Sequence, residues 1–298
     1  MTSLTNRFLS HRNSFVDSSV VDLSTLPTMY DLPSEFPDEP GLPDEFHSLQ
    51  PQLLSRTLTL RDYAAENRFT GTDINVYYDL EHTGWHKRPD WFLSVDVPRI
   101  YDESQKPRRS YVVWQECKAP TVVVEFLSFN TERQDLGRFY RAADKIYNNE
   151  PEQNPGGIPK LLTEEERASK TTPPDKFVVY EQYLKVPYYI VYSQHTGRLR
   201  YFQHNGQRFE EQPVNVNQTP ALWLDDLDIG LGIWDDYFEG LPGPWLRWCD
   251  ADGNWMLTDT EKERLAKEQA QQTAQQAQET AERLAEKLRS LGIDPSNL

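Results

Sequence analysis

Two carboxylates and one amine stand out for where they sit. Asp90 opens the apolar run Asp90-Trp91-Phe92-Leu93-Ser94-Val95, and Glu125 interrupts Thr121-Val122-Val123-Val124-Glu125-Phe126-Leu127. A buried, unpaired carboxylate either loses its hydration at heavy cost or takes up a proton. Two arrangements would explain Glu125: a cation inside the sheet, or an edge strand on which the acid faces water. A hard divalent cation would account for both acids at once, since magnesium is held by one or two carboxylates together with waters and phosphate oxygens. Lys176 adds a cation near the start of a predicted helix. Two acids and a lysine are a minimal kit for metal-assisted phosphodiester hydrolysis. The metal at Asp90 and Glu125 would polarise the phosphoryl group, while Lys176 would orient or activate a water and offset transition-state charge.

These groups must be positioned by a few elements. The segments 90–97 and 121–128 have the length and Val/Phe content of buried strands. Residues 175–184 read as an amphipathic helix with Lys176 near its start, running into a strand over 188–192. A strand over 73–78, alternating and β-rich, precedes them. The three early strands would form an antiparallel meander, and the helix and last strand would complete an α/β architecture.

In this order the pieces resemble the PD-(D/E)XK nuclease superfamily. More narrowly, the chain resembles the cyanobacterial-type Uma-two family of restriction-endonuclease-like proteins. That family reads P-D on one strand, then V-E-V-L-S-P-S-T, then D-x-x-x-K-x-x-x-Y, then V-P-E-Y-W. Here stand Pro89-Asp90, Val124-Glu125-Phe126-Leu127-Ser128 followed by Asn130-Thr131, Asp135, Lys176 with Tyr180, and Val186-Pro187-Tyr188-Tyr189. The resemblance runs from about Leu42 to Leu231, and the ensemble carries it rather than any one piece. It implies a restriction-endonuclease-like core, a mixed central sheet flanked by helices, with DNA as substrate and magnesium or manganese as cofactor. It also implies supporting roles for Asp135 and Tyr180. An N-terminal helix whose acid sometimes joins the site would make Glu45 and His47 candidates. The ordinary alternative is an exposed helix acid and a surface histidine.

Two departures from the family pattern matter. Leu127 stands where the superfamily's E-x-K lysine would be, and in this family that lysine commonly migrates to the helix. Asp135 and Lys176, one helical turn apart in the family, are separated here by a Pro- and Gly-containing segment near 138–174 that reads as an inserted loop. Lys145 is therefore a rival for the site lysine. The spacing to Tyr180 and the following Val186-Pro187 favour Lys176.

The rest of the chain frames this core. Residues 1–31 read as a poorly ordered Ser/Thr/Asn-rich arm, and 32–258 as the nuclease-like domain. Asp44 is placed to cap a helix through Leu53-Leu54. The short run Tyr111-Val112-Val113-Trp114 is compatible with a strand extension or a covered loop. Asn205-Gly206 between alternating runs predicts a hairpin, and Trp245–Trp248 with Asp250–Trp255 predicts a second. The tryptophans of the latter region could stack bases, but such large rings are more often core. From Asp259 to Leu291 the chain is Ala/Gln/Glu/Lys-rich and free of Gly and Pro, a long helix capped by Thr258 or Asp259. Ala274, Ala277, Ala281, Leu284, Leu288 and Leu291 recur at heptad spacing, pointing to a homo-oligomer or a protein partner through the 259–291 helix.

The totals bound the possibilities. The chain of 298 residues carries a net charge of −16, which opposes free, sequence-independent DNA binding. The acids concentrate in part over Asp31–Glu45, while His86, Lys87, Arg88, Arg99, Lys106, Arg108 and Arg109 form a basic group that either faces a phosphate backbone or decorates a solvated loop. Cys117 and Cys249 lie far apart without metal-ligand spacing, which suits a reducing cytoplasm. No apolar run reaches the length of a membrane helix, so no membrane role is expected. Zincin, P-loop, dinucleotide and nucleophile-elbow motifs are missing from the sequence. Two functions compete: a metal-dependent endonuclease, and a catalytically silent nuclease-fold protein acting as an interaction module through its C-terminal helix.

Overall fold

The computed structural model describes residues 44–128, 131–140 and 171–291, together with Pro27, Thr163 and Glu166. The rest of the arm expected over 1–31, Asn130, Lys145 and most of the 138–174 insertion lie outside the described residues. The chain divides into two compact units, Met1–Leu42 and Pro43–Leu298, and every described residue but Pro27 belongs to the second.

In chain order the elements begin with helix α1 (Glu45–Thr57) and strands β1 (Arg68–Gly71), β2 (Val76–Tyr77), β3 (His86–Lys87) and β4 (Trp91–Val95). Then come β5 (Tyr111–Val112), α2 (Val113–Glu116), β6 (Val122–Phe126), α3 (Glu132–Leu136) and the short α4 (Lys176–Val178). The last group is β7 (Tyr188–Ser193), β8 (Arg198–His204), β9 (Phe209–Gln212), β10 (Leu222–Leu224), β11 (Ile229–Phe238), β12 (Leu241–Cys249) and α5 (Asp259–Ser290).

Six strands form the main sheet in the order β1-β4-β6-β7-β8-β9. The β6–β7 pair is parallel and the remaining pairs are antiparallel, so the sheet is mixed. Side chains alternate across it with period two. Val122, Val124 and Phe126 join Trp91, Leu93, Ile190 and Tyr192 on one face, packed against Phe46, Leu53 and Leu54 of α1 and against the β10-β11-β12 sheet. On the other face Val123, Leu127, Phe92, Tyr189 and Val191 pack with Phe177, Val179 and Tyr180 and with Val76 and Tyr111 of the small β3-β2-β5 sheet. This is the expected α/β architecture: a mixed central sheet flanked by helices, with added hairpins and a long C-terminal helix.

Several elements differ from their sequence-based expectation. The first strand of the main sheet is β1, whereas the alternating segment 73–78 contributes only β2, which pairs with β3 and β5 in the separate small sheet. Alternation identifies a strand but not its sheet. The expected helix over 175–184 is a single α turn followed by a π turn over Val179–Tyr183, with Leu184 N bonded to Val179 O at 2.9 Å. The second hairpin is β11–β12, turning at Glu239 and Gly240, which both take positive φ; Cys249–Trp255 contributes one isolated bridge. Trp245 and Trp248 are buried, and Trp248 Nε1 donates to Leu54 O at 2.9 Å, so these rings are core and not a stacking platform.

Candidate functional site

The site grows from one strand pairing. Antiparallel β4 and β6 set Trp91 opposite Val124, which brings Asp90, just before β4, beside Glu125. The two are laced together: Phe126 N donates to Asp90 Oδ2 at 2.6 Å, and Asp90 N lies 3.4 Å from Glu125 Oε2. β6 has a strand on each side, so Glu125 is not on an edge. It is fully buried on the face roofed by α3, α4 and the π turn. Of the two arrangements open to it, the structure takes the one with a cation.

That cation is Lys176. Its Nζ donates to Glu125 Oε2 at 3.0 Å, while the Tyr180 hydroxyl donates to Glu125 Oε1 at 2.6 Å. Residues four apart share one face of a helical turn, which is why Lys176 and Tyr180 can grip the two oxygens of one carboxylate. Leu127, at the position of the superfamily lysine, is buried in the apolar cluster, and Lys176 approaches from the roof instead. The long insertion does not separate Asp135 from this centre: Lys176 Nζ lies 3.6 Å from Asp135 Oδ1. Gly137 makes that closeness possible. Its φ is +49°, and a Cβ there would stand 2.6 Å from Phe177 Cγ, so only glycine lets α4 settle on the end of α3. Tyr189 fixes α3 from below, donating its hydroxyl to Asp135 O at 2.8 Å.

The electrostatics follow from burial. Desolvation pushes Glu125 up to about 7 against the opposing pull of Lys176, and Asp135 up to about 6 for the same reasons. Asp90 is also raised by burial, with Lys176 and the Phe126 amide opposing. Burial alone would lower Lys176, but Glu125, Asp135 and Asp90 more than reverse it, so this lysine stays an ammonium. Asp135 Oδ1 is buried with no hydrogen-bond partner.

The first helix contributes unevenly. Glu45 is exposed and makes no described contact with the centre, because it points outward from the first turn of α1. His47 lies closer: its Nε2 is 3.3 Å from Phe126 O and its Nδ1 is 2.7 Å from Asp44 Oδ1. Burial lowers its pKa, but Asp44 and the nearby Asp90 raise it further, for a net upward shift. Asp44, absent from the sequence-based site candidates, is thus the acid of this helix that engages the site's periphery; its N-cap position was the available signal.

With all three ionised, Asp90, Glu125 and Asp135 would carry three negative charges against one on Lys176, and one divalent cation would bring the centre to neutrality. The hard carboxylate oxygens of Asp90 and Glu125, side by side on paired strands, suit such an ion. No three His, Cys, Asp or Glu side chains are grouped to hold a metal ion among the described residues. A cavity of about 510 Å³ lined by Asp96, Lys118, Thr121, Lys185 and Asp226 lies at the opposite ends of β4 and β6 and shares no residue with this centre.

The Uma2 family model, described as "Putative restriction endonuclease", matches residues 27–236. No curated protein matches the chain. The chain belongs to the Uma2 family, and its mixed sheet with flanking helices is a restriction-endonuclease-like fold.

Proposed function

We propose that this chain is a divalent-metal-dependent endonuclease that hydrolyses DNA phosphodiester bonds at the Asp90–Glu125–Lys176 centre, within a nuclease-like domain over 32–258. The observation that carries the reading is the convergence of a carboxylate pair on neighbouring strands with a lysine held as its ammonium. Family membership supports the nuclease class and a DNA substrate. Asp90 and Glu125 would hold the ion, magnesium or manganese. When bound, the ion supplies Lewis-acid polarisation of the phosphoryl oxygens.

Each residue then has a separable task. Lys176 donates hydrogen bonds to the attacking water and to developing negative charge. Being protonated, it has no lone pair with which to take the water's proton, so it orients the water and does not act as general base. Asp135, buried with its Oδ1 3.6 Å from the Lys176 ammonium and raised by burial to about 6, is the carboxylate placed to accept that proton. Hydrolysis forms one P–O bond from the water and breaks one to the leaving sugar oxygen, which gains a proton. Tyr180 and the Asp90 amide fix Glu125 in place.

Incubation of supercoiled plasmid with magnesium or manganese tests the reading. Wild type should nick or linearise it, and both Glu125→Gln and Lys176→Ala should lose at least about a hundredfold in rate, in line with loss of a preorganised electrostatic group. Wild type that binds no metal by calorimetry and leaves DNA intact would end the proposal. The second reading, a silent interaction module, draws on one observation: none of the described side chains of α5 is buried.

A further inference from the structure

The basic group over 86–109 is not one surface. Arg88 is spent on Asp73, at 2.7 and 2.8 Å. Arg108 pairs with Glu116, donates to the carbonyls of Pro98 and Arg99, and lies 4.4 Å over the Phe69 ring. Lys87 differs from both. In the antiparallel β2–β3 pair it stands directly opposite Val76, and directly opposed residues share a face. Val76 has no solvent exposure, so the stem of Lys87 leaves from the inner face, while Tyr77 and His86 face the other way with rings 5.2 Å apart. Half-buried there, Lys87 is under the electrostatic influence of Asp175, Lys176 and Glu125, yet it makes no hydrogen bond or ion pair with any described residue.

Asp175 and Glu125 draw on this partly desolvated ammonium and Lys176 opposes them, but no described residue takes a hydrogen bond from it, so its donors are open to an arriving anion. We infer that Lys87 binds a phosphate of the nucleic-acid backbone entering the acid cluster, making the β2–β3 hairpin one wall of the substrate groove. This rests on the nuclease reading, because the anion it invokes is the substrate's own backbone. Lys87 acts here in binding, whereas Lys176 acts in the chemistry. Arg88 on the same strand end is tied to Asp73 and holds the strand's exit.

The test compares full-length wild type, Lys87→Gln and Lys87→Arg. Binding of a short fluorescein-labelled DNA duplex is followed by anisotropy in EDTA across a salt series, and cleavage in magnesium. Loss of one phosphate contact should weaken Lys87→Gln binding about tenfold near 0.1 M salt and flatten the log–log salt slope by about 0.9. KM should rise correspondingly with kcat little changed, and Lys87→Arg should restore both. The Lys87→Gln melting temperature should hold or rise, since a half-buried charge that donates to no described residue is removed; a lower melting temperature with an unchanged salt slope would mean a structural lysine and overturn the inference. Unchanged affinity and slope in Lys87→Gln, with wild type binding normally, would overturn it while leaving the nuclease intact. Wild type that binds the duplex through Lys87 but never cleaves it would sink the nuclease reading and keep the phosphate site. Failure of wild type both to bind duplex at any salt and to cleave it in magnesium would remove both.

Discussion

At the scale of single residues, the centre is a problem in buried charge. Glu125 and Asp135 are held at about 7 and about 6, and Asp90 is raised as well, burial being the leading cause in each. In the unfolded chain carboxyls titrate near pH ~4. The native metal-free site therefore binds more protons than the unfolded chain between those values, and stability falls as pH rises through that window. The contribution is fully present below about pH 4 and lost as pH passes through about 6 to about 7. Denaturant melts in EDTA should show this decline from pH 5 to 8. Magnesium should restore stability more at pH 8 than at pH 6, because the ion competes with protons for the same oxygens. A metal-free protein whose stability is flat or rising over that range would contradict the charged-cluster account. Tyr180→Phe is the companion test. It removes the 2.6 Å hydrogen bond to Glu125, which should cost about 1.5–3 kcal/mol at pH 8, where Glu125 is ionised. The same change should move the acid limb of the pH–rate profile upward, since that hydrogen bond favours the ionised form.

At the scale of elements, the centre depends on how closely α4 sits on α3. Gly137→Ala should cost on the order of 1–3 kcal/mol from its positive φ alone. The clash with Phe177 would add to this and pull Lys176 from Asp135, so cleavage should fall further than stability does. Normal activity and melting in that variant would show that the contact relaxes cheaply. The C-terminal helix offers a simpler element. Thr258 and Glu261 form a capping box at its start, and Glu261 also pairs with the buried Arg247. Thr258→Ala should cost about 1 kcal/mol, read as a lower melting temperature and greater amide exchange in the first turn of α5.

At the scale of the whole molecule, α5 is a 32-residue helix without a buried side chain among those described. At 1.5 Å per residue it extends about 48 Å. Truncation after Lys267 keeps the capping box and the Arg247 contact, so it should leave the melting temperature of the remainder nearly unchanged. If the seam Ala274–Leu291 assembles copies of the chain, sedimentation should show a full-length oligomer and a truncated monomer at equal concentration. A monomeric full-length protein would dismiss self-association and leave a protein partner as the helix's remaining use. No helix among the described residues is long and apolar enough to cross a membrane.

The sequence by itself determined what is local. Runs rich in Val and Phe around Asp90 and Glu125 marked buried strands, because β-branched and aromatic side chains fit a pleated surface that excludes water, while the edge or interior place of Glu125 stayed open. The Lys176–Tyr180 spacing marked one helical face, and the composition beyond Thr258 marked a helix. Only the tertiary structure decided what depends on residues far apart in the chain. It assigned segment 73–78 to the small sheet, set Asp135 beside Lys176 across the insertion, turned Glu45 outward, and directed Lys87 inward. None of these is encoded by periodicity or spacing. Each follows from which surfaces exclude water together and from the close approach of α3 and α4 that a glycine permits, and such contacts exist only once the chain has packed.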